Sequence, residues 1–161
     1  MISKRVFHVL FVCTHNSARS IMAEALLNHL GRPGWQAWSA GSHPSGQVRP
    51  QALHTLSGLG VEAGHVRSKD WSEFALPGAP RLDFVITVCD QAAGEVCPVW
   101  PGQPMTAHWG VPAPARDGAG ERAYREAALT LKRRIELMLV LPVASLQRLS
   151  LQAALDDIGR A

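Results

Sequence analysis

The chain has only three cysteines in 161 residues, Cys13, Cys89 and Cys97. So small and odd a set excludes the disulfide framework of a secreted domain and leaves thiols that are redox-active or inert. Metal spacing is absent as well. The seven histidines (His8, His15, His29, His43, His54, His65 and His108) are scattered, none pairs at ligand spacing, and Cys89 and Cys97 lie too far apart for a zinc knuckle, so no metal is expected. No run of 18 apolar residues exists, which excludes a membrane-spanning helix. The basic N-terminus, Met1 to Arg5, precedes too short an apolar stretch for a signal peptide, and the expected location is cytoplasmic. The formal charge is only +3, with no basic block. Nucleic acid is therefore not an expected partner, while a small anionic substrate suits the surface. Repeats and linkers are missing too, so residues 1–161 are expected to form a single domain.

What the chain does have is enough apolar residues (47%) for a real core, arranged in alternating strand and helix patterns. Val6 to Val12 reads as a buried strand. Ser20 to Leu30 reads as a helix with Gly31 as its stop, and Trp35 to Ala40 as a second strand ending at Gly41. Pro50 opens a helix running to about Leu59. A short helix is predicted at Trp71 to Ala75, a core strand at Leu82 to Val88 and a fourth strand at Met105 to His108. A long helix from Gly120 carries Tyr124, Ala128, Leu131, Ile135 and Met138 at helical spacing and halts before Pro142. Ser145 to Ile158 reads as a last helix. The alternation predicts an α/β fold: a four-stranded parallel sheet flanked by helices on both faces. Ligands of such sheets bind beyond the carboxyl ends of strands, where both Cys13 and Cys89 fall.

The run Cys13-Thr14-His15-Asn16-Ser17-Ala18-Arg19-Ser20 joins the first strand to the first helix. A loop of this length can turn backbone N–H groups around one anion, and the helix N-terminus adds partial positive charge. Arg19 can clamp two oxygens with its planar fork. The same field favours a Cys13 thiolate, so the nucleophile is expected to be ionised near neutral pH. Asn16 tolerates the left-handed backbone a tight cradle requires. Ser17 and Ser20 can each donate a hydroxyl to the Cys13 sulfur, Ser20 alternatively capping the helix. His15 can help to bind the anion or lower the Cys13 pKa.

These residues resemble the thiol-dependent arsenate reductases built on the low-molecular-weight tyrosine phosphatase fold. The similarity continues in Ser39-Ala40-Gly41, in Val85 to Asp90, in Cys97-Pro98 and in His108-Trp109-Gly110. The resemblance implies that residues 13–20 hold arsenate, with phosphate or sulfate as competing anions, and that Cys13 attacks arsenic. It implies further that Cys89 displaces arsenite to leave a Cys13–Cys89 disulfide, and that Cys97 then takes over Cys89. The external reductant is a thioredoxin-like protein or a glutathione and glutaredoxin system, and no tightly bound cofactor is implied. In relatives the residues matching Asn16, Ser39 and Glu24 support the loop, sometimes around a potassium ion.

The family usually places an Asp-Pro general acid after His-Trp-Gly. Here the matching position is Ala113, with Asp117 as the alternative acid. A phosphatase lacking that acid should lose roughly 10²–10⁴ in rate, whereas arsenate exchanges its oxygens more readily, so the departure favours the reductase. Two other readings stay open: a phosphatase for phosphotyrosine or small phosphoesters, and a non-catalytic oxyanion-binding module.

Overall fold

The computed structural model describes residues 5–89, 100, 102–112, 114 and 120–161. Strand β1 (Phe7–Val12) has no exposed surface from Val9 to Val12. Alternate side chains of a strand point to opposite faces, so this burial requires both faces of the sheet to be covered. Each such apolar side chain is worth about 1.5–3 kcal/mol relative to exposure. Strands β2 (Trp35–Ala40) and β3 (Phe84–Thr87) flank β1, and β4 (Met105–His108) lies beyond β3. The order β2-β1-β3-β4 is parallel throughout.

Register decides what the sheet presents at its carboxyl edge. Val12 pairs with Ala40 on one side and Thr87 on the other, and Thr87 pairs with His108. The ladder runs slightly further: Cys13 N–H donates to Ala40 O at 3.2 Å, Val88 N–H to Val12 O at 2.9 Å and Val111 N–H to Val88 O at 2.9 Å. Cys13, Gly41, Val88 and Trp109 therefore leave four neighbouring strands at the same level, with Cys89 one residue beyond.

Helix α1 (Arg19–Gly31) is buried around its circumference from Ser20 to Leu27, because it lies against β1 and β2 on one side and against the long helix on another. Helix α2 (Pro50–Gly58) starts on its proline, whose missing N–H costs nothing in a first turn. Asp70 caps a short 3₁₀ helix (Trp71–Ala75) by accepting the Ser72 N–H at 2.8 Å. Helix α3 (Gly120–Leu139) buries Tyr124, Ala128, Leu131, Ile135 and Met138, the stripe expected from spacing. Helix α4 (Arg148–Gly159) packs on β4 and on α3, and the Trp109 indole N–H donates to Leu155 O at 3.0 Å.

Three expectations need correction. Gly31 does not stop α1 but is its last residue; a Cβ there would lie 2.9 Å from both Leu27 Cδ1 and Trp35 Cβ, so the glycine serves close helix–strand approach. Strand β3 spans only Phe84–Thr87 within the expected Leu82 to Val88; Asp83 and Val88 extend it by single backbone bonds, Asp83 O accepting the Met105 N–H at 2.9 Å and Val88 N–H donating to Val12 O at 2.9 Å. Helix α4 begins at Arg148, three residues late, because Pro142 to Leu146 form turns closed on Pro142 O. Among the described residues, no helix is long and apolar enough to cross a membrane.

Candidate active site

The loop after β1 is fixed from outside. Thr14 O accepts the His43 N–H at 2.8 Å, His15 O the Ser45 N–H at 3.0 Å, and Ser17 O the Arg49 N–H at 2.9 Å. All three donors belong to the segment between β2 and α2. In a trans peptide the N–H points opposite to the C=O, so the N–H groups of His15, Asn16 and Ala18 face the loop's concave side. Gly41 sits against the same outer wall. A Cβ on it would lie 2.5 Å from Thr14 O and 2.8 Å from Cys13 O, so only glycine lets β2 meet the loop.

Asn16 carries the sharpest bend, with φ at +47°, in the left-handed region that Asn tolerates. Its fully buried side chain locks that conformation: Nδ2 donates to Ser20 Oγ at 2.7 Å and Oδ1 accepts the Lys69 N–H at 2.9 Å. Ser20 is thus the second residue of α1 and not its cap. The capping position is Ala18, which has no side chain to offer, leaving the helix N-terminal N–H groups for an anion. Arg19 opens the helix and donates through Nη1 to Val111 O at 2.8 Å, which aims the guanidinium across the mouth of the loop. His15 exposes its side chain; its contribution here is its carbonyl, which also accepts from Ser68 Oγ.

Cys13 and Cys89 are both buried free thiols, and their side chains hydrogen-bond to one another. The Thr14 N–H donates to Cys89 Sγ at 3.3 Å, and Thr14 Oγ1 lies 3.5 Å from the same sulfur. The Cys13–Cys89 contact, first, and burial, second, push the Cys13 thiol above its ordinary range, against the pull of the Arg19 charge and the Thr14 N–H. The expectation of a thiolate near neutral pH is therefore corrected. The anion-binding field is present, but the contact with the second thiol holds the proton on Cys13 against it.

Under the loop, Glu24 is 6% exposed, against the exposed position a surface helix residue would take. The fully buried Ser39 donates its hydroxyl to Glu24 Oε1. Lys69, 7% exposed, places Nζ 3.9 Å from the same oxygen. Burial raises the Glu24 carboxyl pKa and lowers that of Lys69, each partly opposed by the other's charge. The residues present do not fit a free potassium ion beside Glu24, since the lysine ammonium already stands at that carboxylate. No group of His, Cys, Asp or Glu suited to a metal occurs among the described residues.

The structure thus brings Cys13, Thr14, Asn16, Ser17, Ala18, Arg19 and Ser20 together with Cys89, and Glu24 with Ser39 beneath them. Cys97, Ala113 and Asp117 lie outside the described residues. Sequence reasoning missed Lys69, the donors from His43 to Arg49, and the Val111 carbonyl. Gly41 was legible only as a strand end.

The low molecular weight phosphotyrosine protein phosphatase family matches residues 8–151. An arsenate reductase of Shouchella clausii is 34% identical over 123 residues, 76% of this chain and 84% of that protein. A solved arsenate reductase in its phosphate-binding state superposes with a TM-score of 0.70 at 28% identity, covering 83% of this chain and 97% of the other. A thioredoxin-dependent arsenate reductase of Corynebacterium glutamicum gives 0.59 at 28% identity, covering 84% of this chain and 65% of its own. With the oxyanion loop, the strand order and the second thiol in place, the chain belongs to the low molecular weight phosphotyrosine protein phosphatase family and, within it, to the arsenate reductases.

Proposed function

We propose that this protein reduces arsenate to arsenite by passing two electrons from its thiols to arsenic. The observation that carries the reading is the Cys13–Cys89 contact inside the anion loop. A phosphatase needs the first thiol and Arg19 but has no use for a second buried thiol on the same sulfur.

Arsenate enters among the N–H groups of residues 14–20 and the Arg19 guanidinium. The Cys13 sulfur bonds to arsenic as one arsenate oxygen departs as water. That oxygen needs a proton, and the protonated Cys13 thiol carries one. The net step, thiol plus hydrogen arsenate giving a sulfur–arsenic(V) adduct plus water, balances without a carboxylic acid, which suits the alanine at position 113. The Cys89 sulfur then attacks Cys13 Sγ. The sulfur–arsenic bond breaks with its electron pair going to arsenic, so arsenic(V) becomes arsenic(III), the Cys89 proton goes to solvent or to the departing arsenite, and a Cys13–Cys89 disulfide remains. Cys97 attacks Cys89, forming Cys89–Cys97 and freeing Cys13. A thioredoxin-like dithiol protein reduces that last disulfide. The resting thiols require a reducing compartment, and we place the reaction in the cytoplasm.

The test is arsenite release by wild type, Cys13→Ser, Cys89→Ser and Cys97→Ser, each with thioredoxin or with glutathione and glutaredoxin. All three thiols should be required with thioredoxin. Full activity of Cys97→Ser with glutaredoxin would replace the relay while keeping the reductase. Aryl phosphate turnover that survives Cys89→Ser, without arsenite release by wild type, would favour the phosphatase.

A further inference from the structure

A buried carboxylate in α1 needs a compensating charge, because taking an ion out of water costs several kcal/mol unless it is paired and hydrogen-bonded. Glu24 has two neighbours that meet this need, the Ser39 hydroxyl on Oε1 and the Lys69 ammonium 3.9 Å from the same atom. The ammonium is itself held by the Arg67 carbonyl, which accepts from Nζ at 2.8 Å. The main chain of Lys69 faces the loop instead. Its N–H donates to Asn16 Oδ1 at 2.9 Å, and its carbonyl accepts the Gly41 N–H at 2.9 Å. One residue thereby touches α1, the exit of β2 and the left-handed turn of the oxyanion loop. The Arg67 guanidinium is engaged by Glu73 at 2.7 Å and 3.2 Å on the exposed side, and its charge reaches Glu24 only as a weaker pull than those of Lys69 and Ser39.

We infer that Lys69 is a positioning residue for the oxyanion loop, its ammonium serving as the built-in counter-cation of Glu24 so that the loop needs no dissolved monovalent cation. The side chain anchors residue 69, and the anchored backbone N–H holds Asn16, whose bend turns the neighbouring N–H groups inward. A free ion could balance the charge but could not deliver that N–H. This inference rests on the reading of residues 13–20 as an oxyanion site, and it does not depend on the redox steps.

Phosphate, which the thiols cannot reduce, is the probe. Its Kd is measured by calorimetry in potassium chloride and in choline chloride at equal ionic strength, for wild type, Lys69→Ala, Lys69→Met and Lys69→Arg. Wild type should bind equally well in both salts, within about twofold. Lys69→Ala and Lys69→Met should bind about tenfold or more weakly in choline, the size of one lost charge-assisted contact. Potassium or methylammonium, which fit the vacated space in Lys69→Ala, should recover at least a third of that loss on a logarithmic scale, and Lys69→Arg should recover most of it. A packing role would not respond to added small cations. Tightening of wild-type binding by potassium would overturn the inference, as would native affinity in a folded Lys69→Met. Failure of Lys69→Arg to fold alongside Lys69→Ala and Lys69→Met would assign the residue to packing and overturn it too. If wild type binds phosphate as described yet releases no arsenite, the reductase reading fails and the role of Lys69 stands.

Discussion

Cys13 and Cys89 follow adjacent strands of one sheet, and their surroundings differ in kind. Behind Cys13 stands a loop with three carbonyls tied to the segment from His43 to Arg49, a locked asparagine and the start of α1. Behind Cys89 stands the ladder through Val88, and the loop reaches across to it through Thr14. The first thiol is thus placed by an anion cradle and the second by that cradle's own edge. Under the proposed mechanism two identical side chains acquire different tasks: one meets the oxyanion, the other meets the first thiol. Neither task could be assigned from the thiols alone, since both are buried and uncrosslinked.

Removing the first thiol should have the largest effect. Cys13→Ser should abolish arsenite release, by about 10³-fold or more, while phosphate binding measured by calorimetry persists. Cys89→Ser comes next. It should reduce thioredoxin-driven turnover by about 10²-fold and allow a Cys13 adduct to build up, detectable by rapid quench and mass spectrometry. Equal losses of binding in both variants would erase the distinction between cradle and edge.

A smaller effect concerns protonation. Because the Cys89 contact is the leading upward push on Cys13, Cys89→Ala should move the pH midpoint of Cys13 alkylation downward. The sign for stability follows from the same shift. A thiol held protonated in the fold favours folding fully below the unfolded-state value near 9.0, and that favour is lost as the pH climbs above it. Wild type should therefore lose thermal stability on the alkaline side of that value more steeply than Cys89→Ala, read as Tm against pH. The smallest change is structural. Gly41→Ala would force a Cβ against Thr14 O and should cost about 1–3 kcal/mol in chemical denaturation, with weaker phosphate binding as the loop shifts.

The legible part of this molecule was its local part. Trp35–Ala40, ending at Gly41, and Met105–His108 were placed to the residue, and the stripe from Tyr124 to Met138 could be read from its spacing. Cys13 and Arg19 declared themselves by lying between a legible strand and a legible helix. What was misread depends on partners distant in sequence. Gly31 looks like a helix stop until Trp35 packs against it, and Ser20 looks like a cap until Asn16 claims its oxygen. Glu24 carries no mark of burial, because its counter-charge comes from Lys69, 45 positions later, in a segment without clear periodicity. The protonation of Cys13 was misjudged for a related reason. The sequence shows the cationic field of the loop but not that contact with a thiol 76 positions away would outweigh it.

The outward tethering of the loop carbonyls has a consequence for selectivity. A cradle held from behind by His43, Ser45 and Arg49 draws its shape from the fold around it and not from its contents. Phosphate and arsenate share charge and tetrahedral geometry, so a rigid bed of N–H groups ranks them almost equally. Discrimination then belongs to what happens after docking: phosphorus keeps its oxidation state when a sulfur approaches, and arsenic gives up its own. On the proposed mechanism, each phosphate ion that docks would occupy the site for a while and depart unchanged. Traffic through such a pocket would be sorted by reactivity, and the ambient phosphate level would set how often arsenate has to queue.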